Sequence, residues 1–309
     1  GLKRYSSHIT AIVTVADDGG SSGVLRRELG VLPPGDIRNC LAALSTEEPL
    51  LTRLFQYRFA AGSGLEGHSF GNLFLSALSA ITGNLETAIT ASSRVLAVQG
   101  QVVPATNVDV QLWAELENGQ RIEGESNIGH APSPIVRLGC SPERPPALPR
   151  ALEAIANADL IVLGPGSLYT SLLPNLLVPE LVGAIKRSKA PRLYICNLMT
   201  QPGETDGLDV RGHIRAIEAQ LATLGIEPRL FNAVLAQDDL PDSDLVRYYQ
   251  SRGADPVRCD AEGLRSDGYD VTQAPLQGLR PTATLRHDSR SLALAVMRFY
   301  RSHRRERDQ

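Results

Sequence analysis

Cysteine is scarce in this chain: Cys40, Cys140, Cys196 and Cys259 stand far apart, with no Cys-x-x-Cys pair. That spacing fits neither a zinc site nor a dense disulfide framework, and it points to reduced, partly buried thiols. Apolar runs approaching the roughly 20 residues needed to span a bilayer are also missing, and no signal-peptide pattern opens the sequence. The cytoplasm is therefore the expected compartment. Excess charge of either sign is lacking too: 31 Lys and Arg face 34 Asp and Glu, a formal net charge of −3. Without a broad cationic field, DNA or RNA is not expected as a partner. The basic stretch from Arg301 to Arg307 reads instead as a solvated helix end, its cations at the negative pole of the dipole.

What is present is ordinary globular composition, with 42% hydrophobic and 21% charged residues, plus 27 Gly and 20 Pro that imply many turns. Short β-branched or Leu-rich runs that stop at Gly, Asn or Asp predict buried parallel strands at Ile9–Ala16, Asp159–Leu163, Arg192–Cys196 and Leu230–Ala236. Helical period and length predict helices at Ala147–Ala158, Val178–Ser188, Val210–Leu224 and Leu292–Tyr300. The alternation implies an α/β fold with a mostly parallel sheet covered on both faces. Two regions break it. Residues 35–97 read as a helical insertion, with helices at Pro49–Phe59, Ser69–Ile81 and Leu85–Leu96. Residues 102–140 alternate instead and carry Asn118-Gly119 between alternating runs, a hairpin signal, so a β excursion with Trp113 on its packed face is expected.

The candidate site residues lie where strands end. Asp159 to Leu163 runs into Gly164-Pro165-Gly166-Ser167-Leu168-Tyr169-Thr170-Ser171, where glycines let backbone N–H groups approach an anion and Ser167, Thr170 and Ser171 add hydroxyl donors. This loop is neither a Walker loop nor a dinucleotide fingerprint, and the plain alternative is a tight strand-end turn. After the first predicted strand comes Asp17-Asp18-Gly19-Gly20-Ser21-Ser22-Gly23. Its paired carboxylates could hold Mg²⁺, orient sugar hydroxyls or act as a base, or one of them could simply cap a helix at Val24–Leu29. Asp36, Arg38 and Asn39, then His68 and Asn72, sit at two further predicted helix starts, and Asn197 follows the strand ending at Cys196. Near the end, Asp288 or Ser289 reads as an N-cap, which leaves Arg286 as an anion clamp or a salt-bridge partner. No nucleophile or metal-ligand spacing stands out.

Taken in order, Thr14 to Gly23, Pro33 to Asn39, Gly67 to Leu73, Gly164 to Ser171 and Cys196 to Gln201 resemble the YvcK-type gluconeogenesis factor family of the CofD-like superfamily. The resemblance covers nearly the whole chain and implies one CofD-like domain over residues 1–309 with a Rossmann-like three-layer α/β/α fold. It implies binding of UDP-sugars, notably UDP-N-acetylglucosamine, and a regulatory role in cell shape and the cell envelope during gluconeogenic growth, with a protein partner receiving the signal. It also implicates Arg286 in holding the UDP-sugar. Family members open with a β-strand and a Gly-Gly-Gly-Thr-Gly loop, whereas this chain begins at Gly1-Leu2-Lys3, resembling the end of the helix after that loop. The corresponding strand is expected centrally in the sheet, with its loop touching the nucleotide; either the sequence is truncated or part of the site is lost. A competing reading is a CofD-like, Mg²⁺-dependent phospholactyl transferase with Asp17 or Asp18 at the metal. A third, an NAD-type dehydrogenase, is disfavoured because no strand-to-helix dinucleotide fingerprint is read.

Overall fold

Leu193, Tyr194, Ile195 and Cys196 decide the layering, because alternate residues of this one strand enter different cores. Leu193 and Ile195 pack with Leu235, Leu285, Val296 and Phe299, whereas Tyr194 and Cys196 pack with Val234, Ile214, Ile217 and Leu221. A strand apolar on both faces must be covered on both. Each fully buried side chain of this size stabilises by about 1.5–3 kcal/mol relative to exposure.

The computed structural model describes residues 1–46, 49–279 and 285–307. A 3₁₀ turn (Leu2–Arg4) leads to β1 (Thr10–Val13), α1 (Gly20–Leu29), α2 (Gly35–Leu44), α3 (Pro49–Gln56), α4 (Phe70–Thr82) and α5 (Leu85–Val95). Next come β2 (Gln101–Pro104), β3 (Gln111–Leu116), β4 (Arg121–Glu123), α6 (Glu125–Ile128), β5 (Ile135–Ser141) and α7 (Pro149–Ala156). After β6 (Ile161–Leu163) follow a π-helical turn (Leu168–Leu172), α8 (Leu173–Leu176), α9 (Pro179–Arg187), β7 (Arg192–Ile195) and α10 (Val210–Thr223). The chain continues through β8 (Ala233–Gln237), α11 (Ser243–Gln250), α12 (Ala261–Ser266), β9 (Asp270–Ala274), β10 (Gln277–Leu279), β11 (Leu285–His287) and α13 (Ser289–Arg307).

Strands β6-β7-β8-β9 form a parallel sheet in that order, and β1 pairs with β2 in a second parallel sheet. One face of the four-stranded sheet is covered by α9 and α10, the other by α13. Among the described residues no strand pairs with the remaining edges of β1 and β6, whose Ile12, Ile161, Val162 and Leu163 are half-buried. Helices α2 to α5 pack a separate core on β1 and β2 around Ile37, Leu41, Phe55, Leu75 and Ile89.

The excursion differs from expectation at its start. Residues 101–104 are β2, which runs parallel beside β1, so the antiparallel unit is β4-β3-β5 alone, and it carries the short helix α6. Trp113 is buried there opposite Gly139, with the Arg121 guanidinium 4.0 Å from its ring centre. The final helix begins three residues before Leu292 and runs on to Arg307. Asp288 caps it, accepting the Ser291 N–H at 2.7 Å. Five further elements, α11, α12, β9, β10 and β11, lie where no element is predicted. The four cysteines are free thiols, Cys140 and Cys196 buried. No single helix among the described residues is long and apolar enough to cross a membrane.

Candidate functional site

The loop after β1 meets the starts of α2 and α4. Asp17 Oδ1 accepts the Gly19 N–H at 2.9 Å. Its Oδ2 and Ser22 Oγ lie so close to Gly35 that a Cβ there would sit 2.0 and 2.7 Å from them, so only glycine lets α2 begin against this loop. Ser22 Oγ accepts from Asn72 Nδ2 at 3.1 Å, and Ser21 Oγ lies 3.0 Å from His68 Nδ1. Ser21 Oγ also accepts the Ser69 N–H at 3.4 Å, so this hydroxyl is engaged on two sides. Arg38 lies along Gly71 and donates to Asn39 Oδ1 at 2.9 Å. The structure thus brings Asp17, Asp36, Arg38, Asn39, His68 and Asn72 into one wall. Two atoms within it, Asn72 Oδ1 and Arg38 Nε, are buried without a hydrogen-bond partner.

Gly19-Gly20-Ser21-Ser22-Gly23 also spells Gly-x-Ser-x-Gly, a nucleophile pattern. Ser21 is 5% exposed and its hydroxyl bonds on both sides, so the Ser21–His68 pair clamps α1 to α4. Gly62 to Gly67 spells Gly-x-Gly-x-x-Gly, but it forms turns between α3 and α4 with no strand leading into it, which is not the dinucleotide context.

Neither Asp17 nor Asp18 caps α1, whose N-cap is Gly19 without a side-chain bond. Asp18 instead caps α6 from a distant part of the sequence. Its Oδ2 accepts the Glu125 N–H at 2.9 Å, and its Oδ1 accepts the Ser126 N–H at 2.8 Å and the Ser126 hydroxyl at 2.7 Å.

A second wall stands at the carboxyl ends of β6 and β7. Gly164 has φ +82°, and a Cβ there would lie 2.7 Å from the Ile195 carbonyl oxygen, so the loop turns away flush against β7. Asn197 Nδ2 donates to the Gly166 carbonyl at 2.9 Å, and Gln201 Nε2 donates to Ser167 Oγ at 2.8 Å. Buried Glu204 accepts the Tyr169 N–H and the Thr170 hydroxyl, each at 3.1 Å. Gly164, Gly166, Ser167, Thr170 and Asn197 are therefore one construction, and the loop is held from its β7 side.

Helix α6 joins the walls, since Glu125 feels the charge of Asp17, Asp18 and Asp36 on one side and Glu204 on the other. Burial, reinforced by those four carboxylates, pushes the Glu125 carboxyl up to about 8. Burial and Asp17 raise Asp36 to about 6, against the pull of Arg38. Among the described residues no three His, Cys, Asp or Glu side chains converge at metal-binding spacing. With both Asp18 oxygens committed to α6, the donors fit at most Asp17 as one ligand of a Mg²⁺ held mainly by phosphates.

Arg286 stands on β11, exposed, its guanidinium without a hydrogen bond or ion pair to any described residue. Its neighbour His287 donates from Nε2 to the Cys196 carbonyl at 3.2 Å, which ties the ribbon to the β7 end beside Asn197. Burial keeps the His287 imidazole below its ordinary pKa, the bond to Cys196 opposing. Side chains alternate along a strand, so Arg286 leaves the ribbon on the face opposite His287.

Comparison with known proteins agrees with this layout. The family described as 2-phospho-L-lactate transferase CofD matches residues 1–277. The gluconeogenesis factor of Bacillus subtilis is 46% identical over 95% of this chain and 90% of its own length. The chain belongs to the CofD family, among its gluconeogenesis factors. A Nostoc sp. relative in the same group is 58% identical over 97% of this chain, which spans 65% of that protein's length. A solved UPF0052-family structure from Bacillus halodurans superposes with a TM-score of 0.89 at 45% identity, covering 96% of this chain and 94% of its own.

Within this gluconeogenesis-factor fold, several residues that shape the site escape the sequence reading. Ser22, Glu125, Ser126, Gln201 and Glu204 hold loops or set the local charge. For Gln201 and Glu204 a signal exists in the polar density after Cys196. Glu125 and Ser126 carry none, because their role depends on Asp18.

Proposed function

We propose that this gluconeogenesis-factor chain binds a nucleotide diphosphate sugar of the UDP-N-acetylglucosamine type and acts as a regulator of cell-envelope metabolism and cell shape rather than as a turnover enzyme. The observation that carries the reading is the Gly164–Thr170 loop, held by Asn197, Gln201 and Glu204 at the carboxyl ends of two parallel strands. Ligands of open α/β sheets bind at such strand ends, and a loop already fixed loses little entropy on receiving a phosphate. The opposite wall supports the sugar end, since Asn72 Oδ1 and Arg38 Nε are unpaired there and an unpaired buried polar atom costs about 1–3 kcal/mol until a partner reaches it.

Calorimetric titration with UDP-N-acetylglucosamine tests the reading, with wild type beside Arg286→Ala. The Arg286 side chain has no partner among the described residues, so removing it is expected to leave the ligand-free melting temperature unchanged; the family resemblance, rather than its place on the ribbon opposite His287, assigns it to the ligand, and its loss is expected to weaken binding at least about tenfold, a loss of about 1.4 kcal/mol. Wild-type affinity in the variant removes Arg286 from the site. Failure of UDP-sugars to bind the wild type, or turnover of a guanylylated phospholactate with a deazaflavin, favours the phospholactyl transferase reading instead.

A further inference from the structure

The amino ends of β1 and β2 carry a cleft of their own. It encloses about 450 Å³ between the last turns of α5, the start of β2 and Arg150 on α7. Pockets of about 300–1,000 Å³ are the size that takes small molecules. The lining is half polar and half apolar; among the described residues its charged members are Arg94 and Arg150, and Thr90, Ser93 and Gln101 add hydroxyls and an amide. Arg150 is held in place, its Nη1 donating to Glu86 Oε1 at 3.2 Å and to Thr90 Oγ1 at 3.3 Å, its Nη2 to Gln101 Oε1 at 3.0 Å. Glu86 offsets one guanidinium from outside the cleft. The Arg94 guanidinium has no hydrogen bond or ion pair to any described residue, so among the described residues its positive charge stands unpaired at the cleft.

We propose that this cleft is a second ligand site, for a small phosphorylated molecule bearing hydroxyl groups. Arginine presents a planar fork of donors that matches phosphate geometry. Thr90 and Ser93 lie one helical turn apart on the same face as Arg94; their hydroxyls donate to the Glu86 and Ile89 carbonyls, which leaves the oxygens as acceptors for the hydroxyls of a polyol attached to the phosphate. The cleft is separate from the strand-end site, since it opens at the amino end of β2 while that site lies beyond the carboxyl ends of β1, β6 and β7. It also has a physical connection to it: Gln101 Nε2 donates to Thr10 Oγ1 at 2.8 Å, and Thr10 opens β1, which runs directly into the Asp17–Asp18 loop.

The test uses glucose 6-phosphate, inorganic phosphate and uncharged glucose as probes, at matched ionic strength with chloride as the control. Glucose 6-phosphate is expected to bind in calorimetry and raise the melting midpoint, inorganic phosphate to bind more weakly, and glucose not to bind. Arg94→Ala is expected to lower glucose 6-phosphate affinity at least about tenfold. Arg94 is exposed on the last turn of α5, so the ligand-free melting curve should not move; Arg94→Gln serves if the alanine variant folds poorly. The proposal is overturned if glucose 6-phosphate does not bind, if glucose binds equally, if inorganic phosphate binds as tightly as the sugar phosphate, or if affinity survives both substitutions.

Discussion

Glu125 keeps its proton up to about pH 8 because it is half-buried and because Asp17, Asp18, Asp36 and Glu204 surround it with like charge. The sign of the consequence follows from linkage. Between the ordinary carboxyl value of 4.5 and about 8 the folded state holds a proton that the unfolded chain has released, so this group's contribution to stability falls as pH rises through that window. Asp36 acts in the same direction between 3.8 and about 6. Glu125→Gln, which cannot ionise, is expected to melt higher than wild type above pH 8, with the gap closing as pH falls toward 4.5. Melting scans across pH 4.5–9 check this, and a gap that does not change with pH would show that Glu125 titrates normally. None of it is legible in the sequence, where Glu125 reads as the last residue of the second alternating run of the Asn118-Gly119 hairpin. By contrast, Gly164 and Gly166 are readable, because a buried strand that gives way to glycines and hydroxyls needs only local chemistry to be recognised.

At the scale of elements, the parallel strands and long helices are legible because their periodicity is local: β1, β6, β7, α7, α9 and α10 fall within the expected stretches, and β8 runs one residue past its own. Helix α6 is not, since four residues carry no helical period and its cap comes from Asp18, 107 positions away. The same long-range bond explains why Asp18 reads locally as a cap for α1. Asp18→Ala removes the acceptor for two backbone N–H groups and the Ser126 hydroxyl, and is expected to cost about 0.5–2 kcal/mol, the usual worth of a cap. Asp18→Asn keeps one carbonyl acceptor and should cost less. Urea denaturation midpoints of the three proteins give the order; an alanine variant as stable as wild type would mean α6 is held by its packing alone. Loss of the Asp18 charge should also let Glu125 ionise at lower pH, so the two substitutions are coupled and their effects should not add.

For the whole molecule, the proposed ligand lies between two walls that belong to different cores. One wall rests on β1 and the helices α2 and α4, the other on β6 and β7 with the loop braced by Glu204. In an unfolded chain Asn72 and Asn197 are separated by more than a hundred residues, so no fragment of the site survives there and the ligand binds only the folded state. Mass action then fixes the size of the effect: at 100 times its dissociation constant UDP-N-acetylglucosamine should stabilise the fold by about 2.7 kcal/mol. With unfolding entropy near ~2.1 cal/mol/K per residue, a chain of 309 residues should gain about 4 °C in melting temperature. The Gly164 loop is braced before ligand arrives, so the gain should come from contacts across the walls, and a ligand that touches only one wall should bind more weakly. UDP alone is therefore expected to shift the midpoint less than the full UDP-sugar at equal concentration. A differential scanning series with UDP, UDP-N-acetylglucosamine, GTP and a deazaflavin measures this. Equal shifts from UDP and the UDP-sugar would confine binding to one wall, and a shift from GTP and the deazaflavin without one from the UDP-sugar would sink the nucleotide-sugar reading.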